Sequence, residues 1–323
     1  MNKRIIAVTI GDIDGIGIEL LIKLWKLKKI TNFILITNYI LFNKYLNKKK
    51  IKLPIKVIKQ KEKIDFLSSK YFFIFNITAK NNIDNTYQSL IRGYYLTIEK
   101  YCSAIITLPL NKKKLSIYLN KTFKGQTELF QKLDNKKYSN MIFYSKKLII
   151  LSLTTHSPIK DITKLLNKKN YIYNKIKLLS KTLKIDFQIK NPRIVITGIN
   201  PHAGENGEIG NEENLYIKPS LKKLKKKNIL IDGPLSADSI FSKSNLIKYD
   251  CFICNYHDQA LIPFKIISNF KGVKNTGSLD IIRISPVHGT AYDLVGKNKG
   301  NFESLLYSFK LINKFIKNRS KIE

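Results

Sequence analysis

Three of the four histidines in this chain close apolar runs: His156 ends LIILSLTTH, His202 ends RIVITGINPH and His257 ends DCFICNYH. Such runs read as buried strands, and open α/β sheets bind ligands at the carboxyl ends of their strands. Three imidazoles delivered there from separate strands can converge on one point. Three nitrogen ligands with one open position are what a catalytic zinc or a similar divalent ion requires. The plain alternative is three unrelated loop histidines, and the spacing does not name the metal. Asp258 and Gln259 beside His257, and Asn200 and Glu205 around His202, are types that orient such ligands from behind. Asparagine and aspartate are also ordinary turn residues after a strand. Lys265 follows His257 by eight residues and could bring a positive charge to the same place.

Two other patterns carry less. Cys251 and Cys254 form a C-x-x-C, but strand residues three apart point to opposite faces. With only three cysteines and no second pair, buried reduced thiols are the better reading. GDIDGIG follows a strand and opens a helix, yet its glycines at 11, 15 and 17 do not fit G-x-G-x-x-G. A tight strand-to-helix turn is the simple account.

The elements that position these residues alternate along the chain. RIIAVTI, NFILITN, YFFIFNI, AIITLP, RIVITGIN and YDCFICNY read as strands, and MIFYSKKLIILSLTT as a hairpin turning at Lys146-Lys147. GIELLIKLWKL, YQSLIRGYYLTIEKYCS and FESLLYSFKLINKFIK read as helices, with a further helical stretch ending near Leu183. This alternation predicts α/β layers around a mostly parallel sheet. No repeat or Pro/Gly-rich linker marks a boundary, which suits two intimately packed lobes.

The 323 residues carry a net charge of +35, a balance that ordinarily points to nucleic acid. Only 5 of the 58 basic residues are arginine, the side chain whose fork reads phosphates and bases. Lysine is instead spread through every segment, in runs such as NKKKIK and KKLKKKN, as on solvated faces. No specific nucleic-acid partner is expected. No apolar run reaches the roughly 18 residues of a membrane span, and Ile5 to Ile10 is too short for a signal peptide. A cytoplasmic location is the default expectation.

GDIDGIGIE, GQTELF, LTTHSPIKDI, GINPHAGENGEIGNEE, GPLSADSIF, YHDQALIPFK and IIRISPVHGTAYDLVGK, in that order, resemble the 4-hydroxythreonine-4-phosphate dehydrogenase family of vitamin B6 biosynthesis. The match runs from Gly11 to Lys297. VHGTAYDLVGK also resembles the adenosine-binding loop of the isocitrate and isopropylmalate dehydrogenases. The resemblance implies their two-lobed α/β/α fold with the active site in the interlobe cleft. A cofactor-side lobe would comprise residues 1–122 and 266–323, and a metal and dimerisation lobe residues 123–265.

It further implies that His156, His202 and His257 hold one divalent metal (zinc, magnesium or cobalt), with ligands shared between the subunits of a homodimer. Gln126, Thr127, Lys265, Lys274 and Arg283 would bind substrate. His288, Gly289, Thr290 and Ala291 would line the adenosine pocket of NAD or NADP. Departures from the family pattern are Gln126 for histidine, Lys274 for asparagine, Ile13-Asp14 for Pro-Ala, and Val287 for the aspartate of D-H-G-T-A. Asn275 becomes the family's asparagine if the register shifts by one. The implied activity is NAD(P)-dependent oxidation of 4-phosphooxy-threonine to a 3-keto acid that loses CO₂. Asp238 in LSADSIF is a candidate proton relay, or a turn or helix-cap residue. The alternatives are a sister dehydrogenase of another phosphorylated or carboxylated hydroxy acid, a basic nucleic-acid-binding protein, and a metal-dependent hydrolase.

Overall fold

The computed structural model describes residues 4–59, 61, 62, 64, 70–269 and 271–321. Its strands are β1 (Ile6–Thr9), β2 (Phe33–Thr37), β3 (Ile55–Ile58), β4 (Phe72–Asn76), β5 (Ala104–Thr107), β6 (Asn140–Tyr144), β7 (Ile149–Ser152), β8 (Ile194–Thr197), β9 (Ile231–Leu235), β10 (Cys251–Cys254), β11 (Val273–Gly277) and β12 (Arg283–Pro286). The helices are α1 (Ile16–Lys26), α2 (Tyr39–Lys48), α3 (Asn82–Ile98), α4 (Lys112–Tyr118), α5 (Gln126–Leu133), α6 (Ile162–Leu166), α7 (Tyr171–Ile185), α8 (Lys218–Lys225), α9 (Lys243–Lys248), α10 (His257–Ser268) and α11 (Glu303–Arg319). The chain divides into two compact units, Met1–Leu133 with Asp280–Ile316, and Asp134–Leu279 with Lys317–Glu323.

In the first unit the strand order is β3-β4-β2-β1-β5-β12, with every recorded pairing parallel. All residues of β1, β2 and β5 are buried. That is why IAVT, FILIT and AIIT are continuous apolar runs rather than alternating ones: helices cover a parallel sheet on both faces. The helix α1 buries Ile16, Ile18, Leu20, Leu21 and Leu24, and places Lys23 and Lys26 in its last turn, where cations suit the helix dipole. The first turn of α3 is capped by the Asn81 side chain, which accepts from the Ile83 and Asp84 N–H groups.

In the second unit the order is β11-β6-β7-β10-β8-β9. The expected hairpin is β6 paired antiparallel with β7, its turn at Lys146-Lys147 closed by Ser145 N–H donating to Leu148 O at 2.9 Å. Antiparallel β11 lies on the other side of β6. Strands β7, β10, β8 and β9 run parallel.

Four strands were not anticipated. β9 (IDGPL) carries Gly and Pro, β11 (VKNTG) is half polar, β12 (RISP) begins on arginine and ends on proline, and β3 (IKVI) is short. The apolar run through Tyr256 also ends sooner than expected: β10 stops at Cys254, and His257 opens α10 instead of closing a strand. Both cysteines of the C-x-x-C are buried free thiols, and burial pushes both well above the ordinary thiol range. Among the described residues Lys175 is the one buried lysine, in keeping with solvated lysine faces. Among them, too, no helix is long and apolar enough to cross a membrane.

Candidate functional site

The second unit sets the three histidines after three neighbouring parallel strands. His156 follows β7, His257 follows the central β10, and His202 follows β8. The strand ends are laced by side chains. Thr154 Oγ1 donates to Asn255 O at 2.7 Å, and Asn255 Nδ2 donates to Thr197 O at 2.9 Å. Gln259 Oε1 accepts from Thr197 Oγ1 and from Asn255 N–H, both at 2.8 Å, while its Nε2 donates to Gly198 O at 2.9 Å. Gln259 therefore braces the ends of β8 and β10 against each other.

On this frame the rings of His156 and His257 come to 5.7 Å between centroids, tilted by 36°. Imidazole nitrogens sit about 2.1 Å from zinc, so two rings on one ion have centroids about 5 Å apart. The observed spacing is within about 1 Å of that value. Asp258 Oδ1 lies 2.7 Å from His257 Nδ1. An ionised carboxylate only accepts, so Nδ1 carries the proton and Nε2 is left as the lone-pair donor. Among the described residues no three or more of His, Cys, Asp and Glu gather to hold a metal, so His202 does not complete a set with this pair in one chain.

His202 stands in an unusual loop. His202, Ala203, Gly204, Glu205 and Asn206 all have left-handed backbone, with φ of 49, 54, 81, 40 and 59°. For a side chain with a Cβ this costs about 1 kcal/mol per residue. Glu213, nearly fully buried, offsets part of it: Oε1 accepts the N–H groups of Ile199 (2.7 Å) and Asn200 (2.8 Å), and Oε2 accepts Asn200 Nδ2 at 3.0 Å. Burial alone would raise its pKa, but the hydrogen bonds prevail, led by that from the Asn200 backbone, and hold the carboxyl below its usual range. Gly198 is required here because a Cβ would meet Ala203 Cα at 2.6 Å.

Asp238 lies in an exposed turn after β9, where Ser236 Oγ donates to its Oδ1 at 2.5 Å. That bond chiefly, with backbone N–H donors and the His202 imidazole adding to it, holds the carboxyl below its usual range. Lys265 is exposed on α10, eight residues from His257. In β11 Lys274 is half-buried and Asn275 is 1% exposed, and strand alternation aims them at opposite faces.

The first unit gathers Gln126, Thr127 and Arg283 around Thr107, the last residue of β5. Arg283 is fully buried. Its Nε and Nη2 donate to Thr107 Oγ1 at 3.1 and 2.7 Å, its Nη1 to Thr127 Oγ1 at 3.3 Å, and its Nη2 to Gln126 Oε1. Burial pushes the guanidinium down to about 9, with Glu128 acting the other way, so the group stays cationic at neutral pH. Its guanidinium carbon lies 5.3 Å from the centroid of the Phe130 ring.

The loop His288–Ala291 belongs to this unit as well. His288 Nδ1 lies 3.0 Å from Gly289 O, which fixes the proton on Nδ1, and Nε2 is buried with no hydrogen-bond partner among the described residues. Burial pushes this imidazole below its usual range, so it is neutral at pH 7, although the Gly289 carbonyl acts the other way. Thr290 O accepts Ile16 N–H at 2.8 Å, and Gly15 packs so closely that a Cβ would come 3.1 Å from Thr290 O. Beyond the loop, Tyr292 Oη donates to Asp12 Oδ2 at 2.5 Å and accepts from Asn111 Nδ2 at 3.0 Å. Lys114 Nζ reaches Asp12 at 3.2 Å and Asp14 at 3.6 Å.

The structure thus brings together His156 with His257, and Gln126 and Thr127 with Arg283. Thr107, Glu213 and the Asp12–Lys114–Tyr292 group were missed from sequence. The only signals were a threonine ending an apolar strand and an acidic residue in a glycine turn.

The comparisons with known proteins agree with one another. Residues 28–312 match the family model described as pyridoxal phosphate biosynthetic protein PdxA. Similar relatives are the 4-hydroxythreonine-4-phosphate dehydrogenases of Aquifex aeolicus (37% identity, covering 97% of this chain and 98% of the relative) and Zymomonas mobilis (34%, 92% and 91%). The solved structure of 4-hydroxythreonine-4-phosphate dehydrogenase from Klebsiella pneumoniae superposes with a TM-score of 0.82 at 27% identity, covering 97% of this chain and 98% of that one. A terephthalate 1,2-cis-dihydrodiol dehydrogenase from Burkholderia xenovorans, at 19% identity, covering 96% of this chain and 98% of that one, with a TM-score of 0.65, shares the fold alone.

Proposed function

Because this chain belongs to the PdxA family of pyridoxal phosphate biosynthesis, we propose that it oxidises 4-phosphooxy-threonine with NAD or NADP. The product, 2-amino-3-oxo-4-phosphooxybutanoate, is a 3-keto acid that loses CO₂ to give 3-amino-2-oxopropyl phosphate. The sister-dehydrogenase, nucleic-acid and hydrolase readings gain no support from these relatives.

The observation that carries the mechanism is the pairing of His156 with His257 at the laced strand ends. These two would hold the divalent metal, and His202 would supply the third nitrogen to the site of a second copy in a homodimer. When bound, the metal supplies Lewis acidity toward an alcohol, and the nicotinamide supplies a two-electron acceptor. Asp258 keeps the proton on His257 Nδ1 and so keeps Nε2 available. Arg283, cationic and held by Thr107, Thr127 and Gln126, attracts the anionic end of the substrate, and Lys265 and Lys274 add positive charge. His288 to Ala291 line the adenosine pocket, where the neutral His288 offers Nε2 as an acceptor. Asp238, ionised in its turn, is the candidate to relay a proton.

The test is formation of NADH or NADPH from 4-phosphooxy-threonine by metal-stripped protein after zinc, magnesium or cobalt is returned. No reduced cofactor with any of the three metals would overturn the assignment.

A further inference from the structure

Gln126 stands where the family's G-H-T-E motif has histidine, a position that the resemblance reads as a substrate contact. Its surroundings point elsewhere. The side chain is 9% exposed, and both ends of its amide have partners inside the chain. Oε1 accepts from Thr107 Oγ1 at 2.8 Å and from Arg283 Nη2, while Nε2 donates to Leu108 O at 3.0 Å. The amide orientation is unambiguous, because two donors face the oxygen and a carbonyl faces the nitrogen. Thr107 closes the triangle, accepting from Arg283 with its lone pairs and giving its one proton to Gln126.

An amide oxygen has two acceptor sites and can serve Arg283 and Thr107 together. A neutral imidazole has one acceptor, and a protonated one has none. The replacement of histidine by glutamine therefore provides a double acceptor that suits a buried guanidinium. The geometry points to Gln126 as a positioning residue: it sets the orientation of Arg283 through a shared bond with Thr107 and does not itself touch the substrate. This rests on the reading above, in which Arg283 receives the anionic end of 4-phosphooxy-threonine.

A double-mutant cycle separates the two roles, read as the Kd for 4-phosphooxy-threonine measured by calorimetry on the metal-loaded protein without nicotinamide. Gln126→Met keeps the length and removes all three hydrogen bonds of the amide, and should raise Kd about tenfold. In an Arg283→Met background, where the group that Gln126 would position is gone, the same change should add less than about twofold. Equal effects in both backgrounds would show that Gln126 acts independently of the triangle and would overturn the proposal.

A second readout depends on sign. In Gln126→His the ratio of variant to parent Kd should grow from about pH 8 to about pH 5.5, as an imidazolium repels Arg283 instead of accepting from it. A ratio that shrinks as the pH falls would mean direct contact with the anion and would also overturn it. If the parent protein does not bind 4-phosphooxy-threonine at all, the functional reading itself falls, and this inference falls with it. That outcome is distinct from parent binding with additive energies.

Discussion

The hydroxyl of Tyr292 donates to the Asp12 carboxylate at 2.5 Å, joining the turn after β1 to a loop 280 residues further along the chain. Asp12 is held at the same time by Lys114, and the adjacent Ile16 N–H bonds Thr290 O. The loop proposed to line the adenosine pocket is thus latched at its C-terminal end, through Thr290 and Tyr292. A hydrogen bond to a charged group contributes roughly 1.5–3 kcal/mol when buried. Tyr292 is 42% exposed, so about 1 kcal/mol is the fair figure here. Tyr292→Phe should raise the KM for the nicotinamide cofactor about fivefold and leave kcat nearly constant. Steady-state titration with NAD and NADP checks this, and an unchanged KM for both would detach Tyr292 from cofactor binding.

Metal content tests the histidine pair. His202→Ala should lose most bound metal and nearly all activity while keeping its fold, as read by elemental analysis and circular dichroism. Because the site is proposed to be shared, mixing inactive His156→Ala with inactive His202→Ala should restore activity. Each mixed dimer then contains one site with all three imidazoles. Metal stoichiometry equal to that of the parent, or no recovery on mixing under conditions where subunits exchange, would remove the shared site.

Acid stability reports on Glu213. Its folded-state pKa lies below the unfolded value of about 4.3. The carboxylate therefore contributes stability that is present above about pH 4.3 and lost as the pH falls through the folded value. Glu213→Gln should be less stable at neutral pH and should lose less on acidification, giving a shallower acid limb. Thermal midpoints from about pH 7 to about pH 3 measure both slopes. Parallel limbs would show that Glu213 does not govern the loop.

Lys274 and Asn275 are separated by the alternation of β11, so only one of them can face the substrate. Lys274→Ala should raise the KM for 4-phosphooxy-threonine about tenfold, with a smaller change in kcat. Asn275→Ala should instead lower the thermal midpoint, because its side chain is 1% exposed in the core. A large rise in KM for Asn275→Ala with none for Lys274→Ala would put the asparagine in the binding role.

Much of the fold is legible because buried parallel strands are continuous apolar runs. RIIAVTI, AIITLP and RIVITGIN announce β1, β5 and β8, and the polarity break at Lys146-Lys147 announces the hairpin. β9 and β11 are hidden, since glycine, proline and lysine are tolerated where neighbouring strands supply the pairing. The strand-end histidines are legible for the same reason as the strands, yet their order β7-β10-β8 is not, because β10 is inserted between two strands that precede it in sequence. Gln126 and Thr107 illustrate the remaining limit. Gln126 stands out in sequence only through the family resemblance and Thr107 not at all, and only the fold brings Arg283 between them.

The first unit has a consequence for synthesis. Its sheet is finished by β12, which pairs with β5, and its helices α1 and α4 await Thr290 and Tyr292. All three arrive only after residues 134–279 have left the ribosome. Elongation at about 5–20 residues per second makes that an interval of roughly 7 to 30 seconds. Throughout it, β5 presents an unpaired parallel edge of four residues, AIIT, to whatever is nearby. The nascent chain is therefore exposed to strand-edge aggregation for much of its translation, and a chaperone that shields such edges should raise the yield of folded protein.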